Sequence, residues 1–540
     1  TANAPATQIT LEVADQAQWN SSEKAAYLKK GETLPLKVTV KDAAGNPLPD
    51  MPFNLSRGDG YTRSDGKGGA AEKHIAGSGD SIVSSVVVDG TSLNDSATLY
   101  SGMTGSDGTV TLNVTRPDTH GTKVTLTAAL YSDPTKTATL DTIFTVVTSP
   151  NTAKAKMWGH MPETLTAGGI TFKRPVVYGE LGKTNNRKTA VENNETWALF
   201  NWTLASNNNT NDLGCGISFI PTQASLQALY SAYSGKTINT IQGWPILNRY
   251  YSSTGDTSSA VTRKFATVDL GNGSGSSVVA GTTKTDGDMV YLTCQTTKVT
   301  AVKRIELDYD PAQWDTANSA IKMKKGESAT VIVKTFDTQN APLGNVAYIL
   351  TRSPQALYGK NRQGVVNEDN QANFMTVTDA YNNTVVGFAF NGTKTIYGVT
   401  GNDGTTTLTI NQDNSPGLKS DLIASLDSDT SVTSNVESLI YTVVTSPDSP
   451  KANNWGHMPE TLTAQNGVVM KRPLLQNEGG AANGVTINGE TWMKQTLSDA
   501  LAGANGGCGA NLAVSGDLAS LYAANPERAR LAASVRCGKY

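Results

Sequence analysis

The chain is written twice. Trp158-Gly159-His160-Met161-Pro162-Glu163-Thr164-Leu165-Thr166-Ala167 returns unchanged from Trp455 to Ala464, and Thr145-Val146-Val147-Thr148-Ser149-Pro150 returns from Thr442 to Pro447. Gln18-Trp19 matches Gln313-Trp314, Lys29-Lys30-Gly31-Glu32 matches Lys324-Lys325-Gly326-Glu327, Glu195-Thr196-Trp197 matches Glu490-Thr491-Trp492, and Gly214-Cys215-Gly216 matches Gly507-Cys508-Gly509. The offsets of these pairs lie between 293 and 297, so few insertions separate the copies. Each half must therefore fold into a unit that can be used twice, and every candidate residue has a built-in control at its counterpart.

The copies part at their ends. Between Cys215 and Cys294 lie 78 residues, but between Cys508 and Cys537 only 28. The shorter version keeps a helix-like stretch, Leu518-Ala519-Ser520-Leu521-Tyr522, and has no counterpart of Gly243-Trp244-Pro245 or Tyr250-Tyr251-Ser252-Ser253-Thr254. The second cysteine segment is expected to be a reduced or truncated domain.

Within each copy the pattern is that of strands. Leu34-Pro35-Leu36-Lys37-Val38-Thr39-Val40 alternates apolar and polar residues, and Asp42-Ala43-Ala44-Gly45-Asn46-Pro47 supplies a turn. Gly105-Ser106-Asp107-Gly108 then leads into another alternating run, Thr109 to Val114, followed by Lys123 to Leu130. Such spacing predicts antiparallel sandwiches rather than βαβ units. The exception is Ala224 to Tyr233, where apolar residues recur at helical spacing.

Composition narrows the function classes. Only 17% of residues are charged and 38% are apolar, with 51 glycines among 540 residues, so turns and solvated strand faces fill the chain. Low charge argues against an expanded disordered chain. The net charge of −3, from 44 basic and 47 acidic residues, removes the main driving force for nucleic-acid binding. No apolar run reaches the ~18–20 residues of a membrane helix, which predicts a soluble chain. The sequence has no charged-then-apolar export signal, so a signal removed earlier or a longer parent product is expected.

The four cysteines fall two per copy. With polar β-domains of exported type as their context, the expected pairs are Cys215–Cys294 and Cys508–Cys537. A zinc site would need clustered ligands, whereas these cysteines are isolated and the chain has only His74, His120, His160 and His457; free thiols are the remaining alternative. Disulfides imply an oxidising, extracytoplasmic location.

Val38 to Pro49, followed by Gly105 to Leu112, resembles the bacterial Ig-like repeat of the intimin/invasin adhesins, and Val331 to Asp337 with Gly401 to Thr405 carries it more loosely. The segment with Ile220 to Tyr230, Gly243-Trp244-Pro245, Tyr250 to Thr254, Val268 to Gly273 and Val290 to Cys294 resembles the C-type-lectin-like adhesion domain that caps such passengers. The resemblance implies a mainly β, elongated chain of tandem Ig-like sandwiches alternating with small α+β lectin-like domains: 1–150 Ig-like, 151–296 lectin-like, 297–447 Ig-like and 448–540 a shortened or truncated lectin-like domain. The sequence lacks the outer-membrane barrel of such adhesins and the Glu-Pro-Asn, Gln-Pro-Asp and Trp-Asn-Asp calcium motifs of sugar-binding lectins, so no metal or other cofactor is expected.

No metalloprotease, phosphate-loop or dinucleotide motif occurs, and acid pairs such as Asp308 and Asp310 read as solvated strand-face charges, so no catalytic residue is assigned and the chain is expected not to be an enzyme. His160 and His457, with Trp158 and Trp455, read as parts of an interdomain joint in which each Trp packs on the neighbouring Ig module. Candidate binding residues are Trp244, Arg249, Tyr250 and Tyr251, of types enriched at binding hot spots, with Arg249 the one most expected at the surface and packing of the Trp and one Tyr into the core the competing reading; a further candidate is the tripeptide Arg57-Gly58-Asp59, used by many integrin ligands. Against the tripeptide, the second copy has Arg352-Ser353-Pro354 in its place, which favours a structural arginine and turn chemistry.

These features together predict a non-enzymatic, exported adhesin, secreted or displayed on the bacterial outer-membrane surface, that binds a host-cell surface protein or glycan through its lectin-like domains. The alternative is a secreted partner that docks on an intimin-like outer-membrane protein. Neither reading involves nucleic acid or membrane insertion by this chain.

Overall fold

The computed structural model describes residues 4–63, 71–83, 85–118, 120–183, 186–256, 263–281, 283–299, 302–324, 326–354, 356–357, 365–366, 375–380, 382–385, 388, 395–412, 417–480, 483–524 and 537–539. The chain divides into two compact units, one of Thr1–Ser253 with Phe265–Val299 and one of Thr254–Lys264 with Thr300–Tyr540. The fold is mainly β throughout.

The first unit begins with a sandwich. One sheet runs in the order Ala6–Val13, Leu34–Asp42, Thr109–Thr115, Val86–Val88, Thr91–Leu93; the other runs Trp19–Asn20, Ala25–Lys29, Thr137–Pro150, Thr122–Leu130, Pro52–Arg63, Ala71–His74. Strand Thr122–Leu130 buries every second residue without exception, the period-two pattern of a strand with one face on a core. Leu36, Val38, Leu112 and Val114 from one sheet meet Leu28, Phe53, Leu55, Val124, Leu126 and Phe144 from the other. Burial of each such side chain stabilises by about 1.5–3 kcal/mol, and this is what holds the two sheets together. Between strands, Asp42 turns the chain by accepting from the backbone N–H groups of Ala44 at 3.0 Å and Asn46 at 2.9 Å.

The second unit repeats the order: Val302–Tyr309, Ser328–Asp337, Thr405–Gln412, Met375–Thr378, Thr384–Val385 face Trp314–Asp315, Ala320–Lys324, Glu437–Pro447, Leu418–Leu426, Ala347–Arg352, Ile396–Val399. One core position differs in kind. Leu140 pairs with Leu126 in the first sandwich, and Glu437 pairs with Leu422 at the same place in the second.

The long last strand of each sandwich leads into an adhesion-type segment. In the first unit this has two hairpins, Thr164–Ala167 with Ile170–Lys173 and Thr189–Glu192 with Glu195–Ala198. Helices Trp202–Ser206, Gln223–Ala232 and Thr237–Thr240 follow, then a three-stranded sheet of Tyr250–Gly255, Lys264–Val268 and Gly275–Val279. The helix expected near Ala224 starts where the Thr222 hydroxyl caps the Ser225 N–H at 3.1 Å, and it buries Leu226 and Leu229. In the second unit the described counterparts are hairpins Thr461–Thr463 with Val469–Lys471 and Gly484–Ile487 with Glu490–Met493, helices Leu497–Ala502 and Ser515–Ala524, and strand Cys537–Lys539.

The joint between sandwich and adhesion-type segment is built alike in both units. Strand Gly159–Met161 adds parallel to Thr137–Pro150, and Gly456–Met458 adds parallel to Glu437–Pro447. Trp158 packs on Ala25 and Ile143, Trp455 on Ala320 and Ile440, which is the packing read from the sequence. Under each joint lies a buried carboxylate. Glu195 accepts from the Ser149 hydroxyl at 2.7 Å and the Met157 N–H at 2.6 Å; Glu490 accepts from the Ser446 hydroxyl and the Asn454 N–H, both at 2.7 Å. Burial pushes the Glu195 carboxyl upward, and its hydrogen bonds oppose that rise.

Candidate binding surface of the first adhesion-type domain

The aromatic residues expected to meet a partner are in the core. Trp244, Tyr250 and Tyr251 have no exposed surface, and they pack with Phe172, Trp197, Leu226 and Tyr291 or, for Tyr251, against Phe265 at 6.0 Å between ring centroids. Large aromatic rings contribute most when wholly removed from water, and here the small domain uses them for that purpose. A binding role for these three side chains is therefore corrected to a structural one.

The tripeptide takes the structural reading that its counterpart in the second copy favours. Arg57 lies in strand Pro52–Arg63 with 2% of its surface exposed, and its guanidinium donates to the Gly58 carbonyl at 2.9 Å and the Leu93 carbonyl at 3.4 Å. Asp59 accepts from the Ala76 N–H at 2.9 Å and lies 3.4 Å from the Lys73 ammonium. A buried arginine does not present its charge to a partner, and the pair is an internal fastening of one edge of the sheet.

What the core aromatics do is hold out a loop. Between buried Pro245 and buried Tyr250, the segment Ile246-Leu247-Asn248-Arg249 reaches the surface: Leu247 is 71% exposed, and Asn248 and Arg249 are half-buried. The loop is anchored by Glu192. Its carboxylate accepts from the Ile246 N–H at 2.9 Å, the Leu247 N–H at 3.0 Å and the Tyr291 hydroxyl at 2.9 Å. The Tyr250 hydroxyl donates to the Pro245 carbonyl at 2.6 Å, the Asn239 amide to the Trp244 carbonyl at 2.9 Å, and the Tyr291 N–H to the Arg249 carbonyl at 2.9 Å. Burial, then the charge of Glu192, raises Tyr291 above its ordinary value, so its hydroxyl stays a donor. With the Ile246 and Leu247 N–H groups satisfied by a buried acid, this part of the loop is fixed to the core.

Glu192 sits where it does because of the hairpin. Asn193 and Asn194 both adopt left-handed backbone, with φ of 53° and 61°, the tight turn that suits strand twist. This places Glu192 opposite Glu195, so one hairpin sends one acid to the loop and one to the joint. At the loop's base Gly243 has φ of +85°, and a Cβ there would lie 1.5 Å from the Val147 carbonyl oxygen; only glycine fits. Reading for aromatics missed Glu192 and Leu247. The repeat itself carried a signal, because Ile487 stands at the position of Glu192 in the copy that lacks the loop.

A disulfide joins Cys215 to Cys294, with Cα atoms 5.2 Å apart. Cys508 is disulfide-bonded as well, while the Cys537 side chain, like that of His457, lies outside the described residues. Among the described residues no group of three or more His, Cys, Asp or Glu is placed to hold a metal ion, and no helix is long and apolar enough to cross a membrane. The segment 151–299 carries 13 basic and 9 acidic residues, the reverse of the balance in the whole chain.

Comparison with known proteins follows the same division. A family model described as the InvE-type adhesion domain matches residues 150–295 and 447–534, and one described as bacterial immunoglobulin-like 21 matches 31–147 and 326–444. Among solved structures, the Yersinia pseudotuberculosis adhesin InvE is 27% identical, covering 54% of this chain and 70% of that one, with a TM-score of 0.40. FdeC, an Escherichia coli adhesin, is 11% identical over 82% of this chain and 99% of that one, with a TM-score of 0.24. Invasin, a bacterial integrin-binding protein, is 10% identical over 91% of this chain and 74% of that one, with a TM-score of 0.18. No curated protein matches the chain. Covered twice over by the same two models in the same order, the chain belongs to the intimin/invasin family of adhesins, as two successive pairs of a bacterial Ig-like domain and an adhesion domain.

Proposed function

We propose that this chain is a non-catalytic, extracellular adhesin whose first adhesion domain meets its target through the surface around Leu247 and Arg249. The domains are taken as 1–150, 151–296, 297–447 and 448–540, with the Ig-like members as spacers. The observation that carries the reading is the Glu192 clamp: a buried acid spent on two loop N–H groups and a tyrosine holds one apolar and one cationic side chain outward. The excess of basic residues in this segment favours an acidic face on the target, a host-cell surface protein or glycan.

The test is binding of the intact chain to epithelial cells, compared with the double variant Leu247→Glu, Arg249→Glu. A loss of at least about tenfold, roughly 1.4 kcal/mol, with unchanged melting supports the surface; undiminished binding of the variant overturns it. The same chain offered to bacteria displaying an intimin-like outer-membrane protein tests the reading as a secreted partner.

A further inference from the structure

The two sandwiches differ on one outer face. In the first, Pro52 pairs with Met103, and the Tyr131 N–H donates to the Pro52 carbonyl at 3.2 Å. In the second, Ala347 pairs with Val399, and the Asp427 N–H donates to the Ala347 carbonyl at 3.1 Å. These are the same three places, since the next residues, Phe53 and Tyr348, pair with Leu130 and Leu426. Phe53 and Tyr348 lie in their cores, so the row beside them points outward. Exposure separates the copies. Met103 is 55% and Tyr131 67% exposed, with Pro52 exposed between them; Ala347 and Val399 are half-buried, and Asp427 is 6% exposed.

What covers the second row lies within the second unit, which includes Thr254–Lys264. Strands Tyr250–Gly255 and Lys264–Val268 are neighbours in one sheet, and the Asp256 N–H ties their ends by donating to the Lys264 carbonyl at 2.8 Å. Gly255 approaches the row so closely that a Cβ on it would lie 2.6 Å from Ala347 Cβ and 3.0 Å from Val399 Cγ2. Arg263 holds the end of the row. Its Nε donates to the Asp427 carboxylate at 3.0 Å, a second nitrogen donates to the other carboxylate oxygen, and the guanidinium lies 5.5 Å from the Tyr397 ring centroid. We propose that the outer face at Pro52, Met103 and Tyr131 is a docking surface of the same kind. Its occupant is the paired strand ends of another adhesion-type domain, with an uncharged side chain where Arg263 stands.

The occupant follows from what fills each place. Tyr131 stands where the second row has its acid, and Ser101 where it has the Tyr397 ring, so an arginine brought there would leave water with no carboxylate to meet it. Pro52, Met103 and Tyr131 offer apolar surface instead, which an apolar side chain covers favourably. One exposed apolar residue is ordinary; three side by side, at places that are covered in the other copy, mark a face with a partner. This face belongs to the Ig-like member and does not use the Leu247 loop.

Peroxide oxidation of Met103 in the whole chain, followed by mass spectrometry, reads occupancy of this face, because oxidation of a thioether follows its exposure. The probe is a disulfide-closed peptide of residues 250–268 carrying Arg263→Leu, the closure holding a strand pair that is marginal alone. At millimolar peptide, oxidation of Met103 should slow about fivefold, and the parent peptide with Arg263 should slow it less. Tyr131→Asp, at an exposed position that leaves the core untouched, should reverse that preference by restoring the acid. No protection by the leucine peptide overturns the proposal, as does an unchanged preference in the Tyr131→Asp chain. Sedimentation of the chain without peptide covers the other occupant: association that Met103→Glu abolishes assigns the face to a second copy of this chain and overturns it.

Discussion

The two adhesion domains share a joint, a hairpin and a pair of cysteines, and among the described residues they differ in the helix that follows and in what the hairpin's acid holds. In the first, Trp202 begins a short helix, capped by Asn201, and stacks on Phe265 at 3.8 Å. In the second, Leu497 begins the matching helix, capped by Thr496, and is 68% exposed; among the described residues nothing stacks on it. The buried acid differs in step with this: Glu192 clamps a loop in the first, and Ile487, at its position, stands 50% exposed in the second. By contrast Glu195 and Glu490 are kept in both, each under its joint. The joint and the loop are thus separable features of one hairpin. What both copies retain attaches the domain to its sandwich, and what only the first retains shapes a surface.

The largest effect expected from breaking this comparison is at Gly243. Gly243→Ala introduces a Cβ into the Val147 carbonyl at a left-handed backbone position, and should cost about 5 kcal/mol or more, enough to abolish a separate thermal transition of the first unit. Cys215→Ser opens a closure of 79 residues and should lower the first unit's stability by about 4 kcal/mol, measured by denaturant titration under non-reducing conditions. Glu192→Ala removes the acceptor of two backbone N–H groups and of the Tyr291 hydroxyl, and should cost about 2–3 kcal/mol. The mirror change Ile487→Glu should alter stability by less than about 0.5 kcal/mol, since that position is solvated. Similar costs for these last two changes would refute the separation of loop from joint.

The sandwiches offer a smaller, pH-dependent contrast. Burial first, then the charge of Asp308, pushes Glu437 up to about 7, where the first sandwich has Leu140. An acid whose folded pKa is raised holds a proton that the unfolded chain has released. The contribution of Glu437 to the second unit's stability should therefore be greatest below pH 4.5 and be lost as pH rises through 7, by about 2 kcal/mol. Glu437→Leu should remove that slope; a slope unchanged in the variant would assign it to other groups.

Much of this was legible in the residues alone. The alternation in Leu34–Val40 and Lys123–Leu130 gives strands because side chains alternate across a pleat, a local property that survives without knowledge of partners. The matched Trp-Gly-His-Met-Pro-Glu stretches announced a joint because two copies needed the same close approach of backbone, seen where a Cβ on Gly121 would lie 2.3 Å from the Trp158 carbonyl oxygen. For Trp244, Tyr250 and Tyr251 the residues alone left core and surface both open, since an aromatic ring in a small domain serves either and composition does not distinguish them. Arg57 was ambiguous for the same reason, and only the carbonyls of Gly58 and Leu93 decide that its charge points inward.

The amino-acid sequence determined the duplication, the strand-rich class, the place of each joint and the family, because these rest on period, pairing of like segments and local turn chemistry. The tertiary structure alone decided which side chains face water. Glu192 meets Ile246 across 54 positions and Tyr291 across 99, and Gly121 comes to Trp158 from just before strand Thr122–Leu130. Contacts at that separation depend on how sheets and loops close on one another, and burial is a property of the closed whole rather than of any segment within it.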